Sequence, residues 1–130
     1  MRDDPLIVSF KTLIVEDEPD LLETCARLLR QAGHSCLTAR SGREAITLID
    51  AEHPDLVVTD LRLPTLNGLA VTRHARQVTP PVPVLLITGY SSTEAKREAQ
   101  AAGAIVFLPK PFTASEFVDA VNRALGTPST

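Results

Sequence analysis

The sequence predicts an α/β protein of the (βα)5 type, with a doubly wound parallel five-stranded sheet and helices on both of its faces. Short apolar, β-branched runs alternate along the chain with longer windows that carry the 3.6-residue period of an amphipathic helix. Residues typical of helix starts precede these windows, and glycines typical of helix ends follow several of them. Strict alternation of strand and helix favours right-handed crossovers and therefore a parallel sheet.

Five short runs, each about five residues long, are predicted to be strands because β-branched and aliphatic residues dominate them. They cover residues 11–16, 35–39, 55–59, 82–88 and 104–108. The third and fourth runs are apolar on both faces, as the central strands of a parallel sheet are. Five units are too few for an eight-stranded barrel, so we expect an open sheet with its ligand crevice beyond the carboxyl ends of the strands.

The windows that follow the strands are predicted to be helices. In the first window one face carries Leu21, Leu22, Cys25, Leu28 and Leu29 at helical spacing. Capping patterns predict helix starts at Pro19, Ser41 with Glu44, Asn67 with Gly68, Ser91 with Glu94, and Thr113 with Glu116. Left-handed stops are predicted at Gly33, Gly103 and Gly126.

Length and charge restrict the classes of function. With 130 residues and a hydrophobic fraction of 44%, the chain is predicted to form one domain at 11–125, with an N-terminal extension at 1–10 and a tail or linker start at 126–130. Thirteen basic against sixteen acidic residues give a net charge of −3, which argues against direct nucleic-acid binding. No apolar stretch approaches the ~20 residues of a membrane span. We therefore expect a soluble, cytoplasmic protein that has no membrane partner.

The cysteines and histidines lack the spacing of a metal or redox site. Cys25 and Cys36 are predicted to be buried free thiols, because they form neither a Cys-x-x-Cys motif nor a disulfide framework. His34, His53 and His74 are predicted to be solvated or to cap helices rather than to bind a metal.

Chemically useful side chains follow four of the five predicted strands. These side chains belong to Glu16 and Asp17, Asp60, Thr88, and Lys110. Because the carboxyl ends of parallel strands lie at one edge of the sheet, we expect them to meet there. Three carboxylates and one ammonium leave two excess negative charges, and oxygen ligands favour a hard divalent ion, Mg²⁺ or alternatively Mn²⁺. Singly, each acid could be a turn former or helix cap; jointly, they predict a site.

Four segments of the sequence have the order and spacing of a known family. They are LIVEDE at 13–18, DLVVTDLRLP at 55–64 with Asn67 and Gly68, LITG at 86–89, and FLPKPF at 107–112. Together they resemble the receiver domain of two-component response regulators. The resemblance implies a flavodoxin-like strand order, 2-1-3-4-5. It also implies a signalling domain that promotes its own phosphorylation and dephosphorylation but is not a turnover enzyme.

The resemblance implies a role for each residue of the site. Asp60 would be the phospho-acceptor, which takes a phosphoryl group from the phosphohistidine of a histidine kinase or a histidine phosphotransfer protein. Thr88 and Lys110 would bind phosphoryl oxygens. The Mg²⁺ ligands would be Asp17, Glu16 directly or through water, Asp60, and the backbone carbonyl of Arg62.

The resemblance also implies a conformational switch. If Thr88 moved toward the phosphoryl group, Phe107 would follow and change the surface of helix 4, strand 5 and helix 5, where a homodimer or an output module could bind. Phe107 could equally be a static core residue. The Lys110–Pro111 bond would be cis. On charges alone, the surface of helix 4, strand 5 and helix 5 could also be simply solvated. Its charged residues are Lys96, Arg97, Glu98, Asp119 and Arg123.

Three other classes of protein fit these residues less well. A haloacid-dehalogenase-like phosphatase also uses an Asp nucleophile with Mg²⁺, but that Asp follows the first strand, whereas Asp60 follows the third. A flavodoxin-type FMN protein needs a phosphate loop after the first strand, where the acids at 16–18 would repel phosphate. A degenerate receiver that only binds proteins would not need the acceptor, the acidic pair, the Thr and the Lys that this sequence contains.

In the receiver family the positions of Arg62 and Tyr90 affect the lifetime of the phosphoryl group.

Overall fold

In the computed structural model, strands and helices alternate along the described residues, which are 9–89 and 92–127. The strands are β1 (Lys11–Val15), β2 (Ser35–Ala39), β3 (Leu56–Asp60), β4 (Val84–Thr88) and β5 (Val106–Pro109). The helices are α1 (Pro19–Gln31), α2 (Gly42–Glu52), α3 (Gly68–Gln77), α4 (Thr93–Ala102) and α5 (Ala114–Leu125). Neighbouring strands pair in parallel, in the order β2-β1-β3-β4-β5. The predicted (βα)5 fold and its flavodoxin-like strand order are confirmed.

Strand β2 has the predicted bounds, and the other four strands differ from the predicted ones by one or two residues at one or both ends. Strand β4 begins at Val84 rather than at Val82, because Pro83 between them has no N–H to donate to a ladder. Strand β5 begins two residues later than predicted, since the N–H of Ala104 still donates to the carbonyl of Ala99 in α4 at 3.0 Å. At the other end of β3, Asp60 belongs to the strand and pairs with Ile87.

Local capping bonds set most of the predicted helix starts. The side chain of Asn67 accepts from the N–H of Ala70 at the start of α3, and Pro19 opens α1. Thr113 and Glu116 form the complete reciprocal capping box of α5, with bonds of 3.0 and 2.8 Å. Thr113 therefore has the capping role that its position predicts.

Two predicted helix starts differ in detail. Ser41 caps α2 by accepting from the N–H of Glu44, but the Glu44 carboxylate accepts from the N–H of Arg40 rather than from that of Ser41. Helix α4 is capped by Ser92, whose Oγ accepts from the N–H of Ala95 at 3.0 Å. The predicted cap at Ser91 is wrong by one residue, because the helix begins at residue 93 and the cap immediately precedes it. Ser91 and Tyr90 lie outside the described residues.

The predicted helix ends are also observed. Gly103 and Gly126 end α4 and α5 with φ of 108° and 73°, and Gly33 follows the last residues of α1 with φ of 95°. Only a residue that tolerates the left-handed region fits there readily, and glycine is the residue that does so without strain. His53 ends α2 in the same region, with φ of 46°, so it has the capping role that was one of its two predicted roles.

The sheet is covered on both faces. On one face α1 and α5 pack against β1, β3 and β4 around Phe117, Leu29 and Ile14. On the other face α2 and α3 pack against β1 and β3, and α4 packs against β4 through Ala99 and Leu86. Because successive side chains of a strand point to opposite faces, the central strands contribute to both cores.

The two cysteines are free, as predicted. Cys25 is fully buried, and burial raises the pKa of its thiol to about 12. Cys36 is half-buried, and burial also raises the pKa of its thiol. Both side chains are therefore protonated thiols at neutral pH. Within residues 9–89 and 92–127, no helix combines the length and the apolar character that crossing a membrane requires.

A buried hydroxyl in β1 gives a stability prediction. Thr12 is fully buried, and among the described residues its Oγ1 has no hydrogen-bond partner. Such a group costs about 1–3 kcal/mol, and valine has the same shape without the hydroxyl. We expect Thr12→Val to raise the free energy of unfolding by about 1 kcal/mol, measured as a higher urea midpoint at an unchanged slope.

The matched control is Thr72→Val. Thr72 is equally buried, but its Oγ1 donates to the carbonyl of Gly68 at 2.7 Å, so this substitution should lower the free energy of unfolding. A Thr12→Val variant that unfolds at lower urea than the parent would contradict the assignment of an unsatisfied hydroxyl.

Candidate functional site

The residues that follow the strands meet at one edge of the sheet, as predicted. Glu16 and Asp17 come directly after β1, Asp60 ends β3, and Thr88 ends β4. Lys110 comes directly after β5, and its N–H donates to the carbonyl of Thr88 at 2.8 Å. These elements are adjacent because β1 pairs with β3, β3 with β4, and β4 with β5.

The ammonium of Lys110 lies between two carboxylates. Its Nζ is 2.6 Å from Oδ2 of Asp60 and 3.0 Å from Oε1 of Glu16. Burial acts to lower the pKa of Lys110, but the hydrogen bonds to Asp60 and Glu16 outweigh burial and raise it. Lys110 is therefore protonated at neutral pH, and it joins two acidic residues at the ends of different strands.

The second oxygen of each carboxylate is held by a backbone N–H. Oε2 of Glu16 accepts from Glu18 at 3.0 Å, and Oδ1 of Asp60 accepts from Arg62 at 3.1 Å. Both bonds span two residues, so each acid orients the loop that follows its own strand.

Burial raises the pKa of Glu16 to about 7, against the opposing effects of the Glu18 N–H and Lys110. The nearby Asp60 raises this pKa further.

Three acidic residues at this edge can hold a metal ion together. Carboxylate oxygens of Glu16, Asp17 and Asp60 lie within 4.8 Å of one another. Glu16 and Asp60 are buried and Asp17 is exposed, so an ion bound here would reach solvent on the Asp17 side. An oxygen-only donor set that is open to water fits Mg²⁺ or Mn²⁺. With Lys110 as the neighbouring cation, the cluster keeps the excess negative charge that a divalent ion would neutralise.

A cleft opens beside these acids. It has a volume of about 320 Å³ and is lined by Asp60, Arg62, Thr88, Gly89 and Lys110. Asp60 and Thr88 are largely buried, with exposed fractions of 6% and 1%, and they form its inner wall. A tetrahedral oxyanion is small compared with this volume, so the carboxylate of Asp60 is accessible to one.

Two predicted residues lie beside the cleft rather than in it. Phe107 is half-buried in β5 and packs near Leu86 and Ala99, on the α4 side of the sheet. The Lys110–Pro111 peptide bond, which the resemblance implied to be cis, is cis in the structure. Pro111 lines an apolar hollow together with Leu21, Lys110 and Phe112.

Two residues near the site had no predicted functional role. The sequence predicts only that Gly68 starts a helix, but a Cβ at this position would lie 2.1 Å from the carbonyl oxygen of Asp60. Arg40 follows β2, the one strand to which no chemistry was assigned, and its Nη2 donates to the carbonyl of Asp17 at 3.4 Å. In the sequence, the only sign of a functional role for Arg40 is its position directly after a strand.

Comparisons with known proteins agree with the geometry. The family model "Response regulator receiver domain" matches residues 12–122. The chain is 37% identical over 112 residues to the DNA-binding transcriptional regulator NtrC of Klebsiella pneumoniae, covering 86% of this chain and 24% of NtrC. It is 38% identical over 115 residues to the response regulator MprA of Mycolicibacterium vanbaalenii, covering 88% of this chain and 49% of MprA.

Solved structures show the same likeness. The chemotaxis response regulator CheY4 of Vibrio cholerae superposes with a TM-score of 0.85 at 28% identity, over 91% of this chain and all of CheY4. NtrX of Brucella abortus superposes with a TM-score of 0.84 at 32% identity, over 92% of this chain and 28% of NtrX.

The fold and the site define a signalling domain of the two-component type. The chain belongs to the response regulator receiver domain family, as its sequence motifs predicted. It spans about a quarter of the length of NtrC and about half that of MprA. The family assignment excludes the phosphatase and FMN-protein alternatives.

The close packing of Gly68 gives a second prediction. In Gly68→Ala the new methyl group would overlap the carbonyl of Asp60, so the backbone after β3 must shift. We expect this substitution to lower the free energy of unfolding by about 1–3 kcal/mol, the usual cost of overpacking. Thermal or urea unfolding measures it.

Gly89→Ala is the control for Gly68→Ala, because a Cβ at Gly89 would have no heavy atom of residues 9–89 or 92–127 within 4 Å. If both alanine variants unfold at the same urea concentration, the predicted overlap at Asp60 does not exist.

Proposed function

We propose that this receiver domain is a phospho-acceptor, and that Asp60 takes a phosphoryl group from the phosphohistidine of a histidine kinase or a histidine phosphotransfer protein. One observation carries the proposal: the Asp60 carboxylate faces an open cleft while Lys110 and the acidic pair Glu16–Asp17 surround it. This arrangement places a nucleophilic carboxylate where a phosphoryl group can approach it, beside a cation and two further acids.

The reaction needs alignment and charge neutralisation more than covalent assistance. An oxygen of Asp60 would attack phosphorus as the P–N bond of the phosphohistidine breaks, and the departing nitrogen would keep the bonding electrons and take a proton. The product is an acyl phosphate on Asp60. The N–H of Arg62 already holds one Asp60 oxygen, which limits rotation of the carboxylate.

The chain's own residues would hold the metal and the phosphoryl group. Glu16, Asp17, Asp60 and the backbone carbonyl of Arg62 would bind Mg²⁺, or Mn²⁺ in its place. When bound, the ion supplies positive charge that offsets the charge of the transferring group. Lys110 would pair with one phosphoryl oxygen, and the Thr88 hydroxyl would donate to another.

We propose that phosphorylation is read out on the face formed by α4, β5 and α5. Thr88 and Phe107 lie on neighbouring strands, and Phe107 pairs with Leu86, two residues before Thr88. Movement of Thr88 toward a phosphoryl group would free space on the side where Phe107 packs. Ile105, directly before β5, is 51% exposed and lies in a hollow of this face, so an apolar contact is available to a partner.

The partner of this face would be a second copy of the chain or an output module. The longer relatives NtrC and MprA are regulators, and NtrC is described as DNA-binding. We propose that residues 11–125 form the receiver unit, with an extension at 1–10 and a tail or linker start at 126–130. In this proposal the domain acts in the cytoplasm, binds neither nucleic acid nor membrane itself, and carries out stoichiometric phosphotransfer rather than turnover.

The phospho-acceptor is tested with acetyl phosphate and Mg²⁺. The parent chain should gain a single phosphoryl group, detected as a mass increase of the intact protein, and Asp60→Asn should gain none. The control Asp119→Asn, which changes an exposed acid on α5, should be phosphorylated like the parent. Phosphorylation of Asp60→Asn at the parent level would reject Asp60, and continuous release of phosphate from esters would contradict stoichiometric phosphotransfer.

The metal site is tested by titration with Mg²⁺ in a calorimeter. Asp17→Asn removes the most exposed of the three carboxylates, and we expect it to weaken Mg²⁺ binding about tenfold or more. Asp20→Asn, which changes another exposed acid three residues further along, should bind like the parent. Equal affinities for all three proteins would reject the proposed ligand set.

A further inference from the structure

The segment between β2 and α2 touches both loops that carry the acidic residues. This β2–α2 junction comprises residues 40–43. It lies beside the β1–α1 loop at 16–18 and the β3–α3 loop at 61–67. Strand β2 contributes no carboxylate, hydroxyl or ammonium to the site, so the junction has no chemical role in the proposed reaction.

On one side the junction holds the β1–α1 loop. The N–H of Glu16 donates to the carbonyl of Ala39 at 3.0 Å, which continues the pairing of β1 with β2. One residue further along, the guanidinium of Arg40 donates from Nη2 to the carbonyl of Asp17 at 3.4 Å. The main chain of Asp17 is thus bonded to a side chain of the junction, while its carboxylate faces Glu16 and Asp60.

On the other side the junction holds the β3–α3 loop. The N–H of Gly42 donates to the carbonyl of Pro64 at 3.2 Å, and the N–H of Arg43 donates to Oγ1 of Thr65 at 3.3 Å. Gly42 packs so closely that a Cβ there would lie 2.1 Å from the carbonyl oxygen of Leu66. Thr65 has φ of 69°, a strained value for a β-branched residue, so these contacts stabilise an unfavourable loop conformation.

The junction is itself held by the first turn of α2. Oε1 of Glu44 accepts from the N–H of Arg40 at 2.9 Å, and Oγ of Ser41 accepts from the N–H of Glu44 at 3.2 Å. The backbone from which the Arg40 side chain extends is therefore bonded to a helix, although the side chain is exposed.

We propose that the β2–α2 junction positions the two loops of the acidic site, and that Arg40 is the positioning residue for Asp17. This inference rests on the proposed metal site at Glu16, Asp17 and Asp60. Arg40 touches neither the phosphoryl group nor the ion; it acts through the backbone of Asp17. Such outer contacts commonly change metal affinity by about 10- to 100-fold.

Charge and positioning predict opposite results when Arg40 is removed. A cation next to a divalent metal site repels the ion, so loss of its charge alone would strengthen Mg²⁺ binding. Loss of the bond to the Asp17 carbonyl would release the β1–α1 loop and weaken Mg²⁺ binding. The direction of the change therefore separates a positioning residue from an ordinary surface charge.

The test compares Mg²⁺ affinity by calorimetry in the parent chain, Arg40→Met and Arg40→Lys. We expect Arg40→Met to bind Mg²⁺ about tenfold more weakly. Arg40→Lys should recover most of that loss, because an ammonium can donate to the same carbonyl. The control Arg27→Met, which removes an exposed cation on α1, should bind like the parent. Unchanged or tighter binding by Arg40→Met would overturn the proposal.

A second measurement needs no metal. Backbone ¹⁵N relaxation of the metal-free proteins should show greater mobility at Asp17 and Glu18 in Arg40→Met than in the parent or in Arg27→Met; equal mobility would overturn the proposal. If the parent itself fails to bind Mg²⁺, the proposed metal site fails, while the relaxation data still decide whether Arg40 holds the Asp17 loop.

Discussion

The arrangement of this domain depends on one cation among acids, the ammonium of Lys110. Two like charges about 4 Å apart cost about 4 kcal/mol at an effective dielectric constant near 20, so Glu16 and Asp60 can both be charged at one sheet edge only with compensation. Lys110 supplies it through bonds of 3.0 and 2.6 Å. Its strand, β5, is separated from β3 by β4, and the length of the lysine side chain allows the ammonium to reach across that strand. The remaining negative charge is what makes the site suited to a divalent ion.

The acids can bind an ion together only if the loops that carry them are ordered. Each buried acid bonds the backbone two residues further on, through Glu18 and Arg62, so part of the order is local. The rest comes from neighbouring segments. Gly68 lies against the carbonyl of Asp60, where a side chain would not fit. The β2–α2 junction contacts both acidic loops without contributing a group to the proposed chemistry. The order of these loops therefore depends on small residues and backbone donors around the site as well as on its charged residues.

Much of the fold was predictable because its signals are local. Apolar periodicity, Asn67 as a cap and the Thr113–Glu116 box each depend on residues within about one turn of helix, and each is observed. Errors arose where two local patterns compete. Ser91 and Ser92 both match a cap, and only the start of the helix selects Ser92. Val82 belongs to an apolar run, but Pro83 keeps it out of the ladder. These differences move boundaries by one or two residues and leave the topology unchanged.

The amino-acid sequence by itself determined the order of strands and helices, the family, and which chemical groups stand at the strand ends. Local propensity and side-chain period carry that information, and neither needs knowledge of distant contacts. The tertiary structure alone decided which oxygens Lys110 bonds, how closely Gly68 approaches Asp60, and that Arg40 reaches the Asp17 carbonyl. Lys110 and Glu16 are 94 residues apart in the chain. A contact over that separation depends on strand register, loop path and rotamer together, and no local pattern encodes all three.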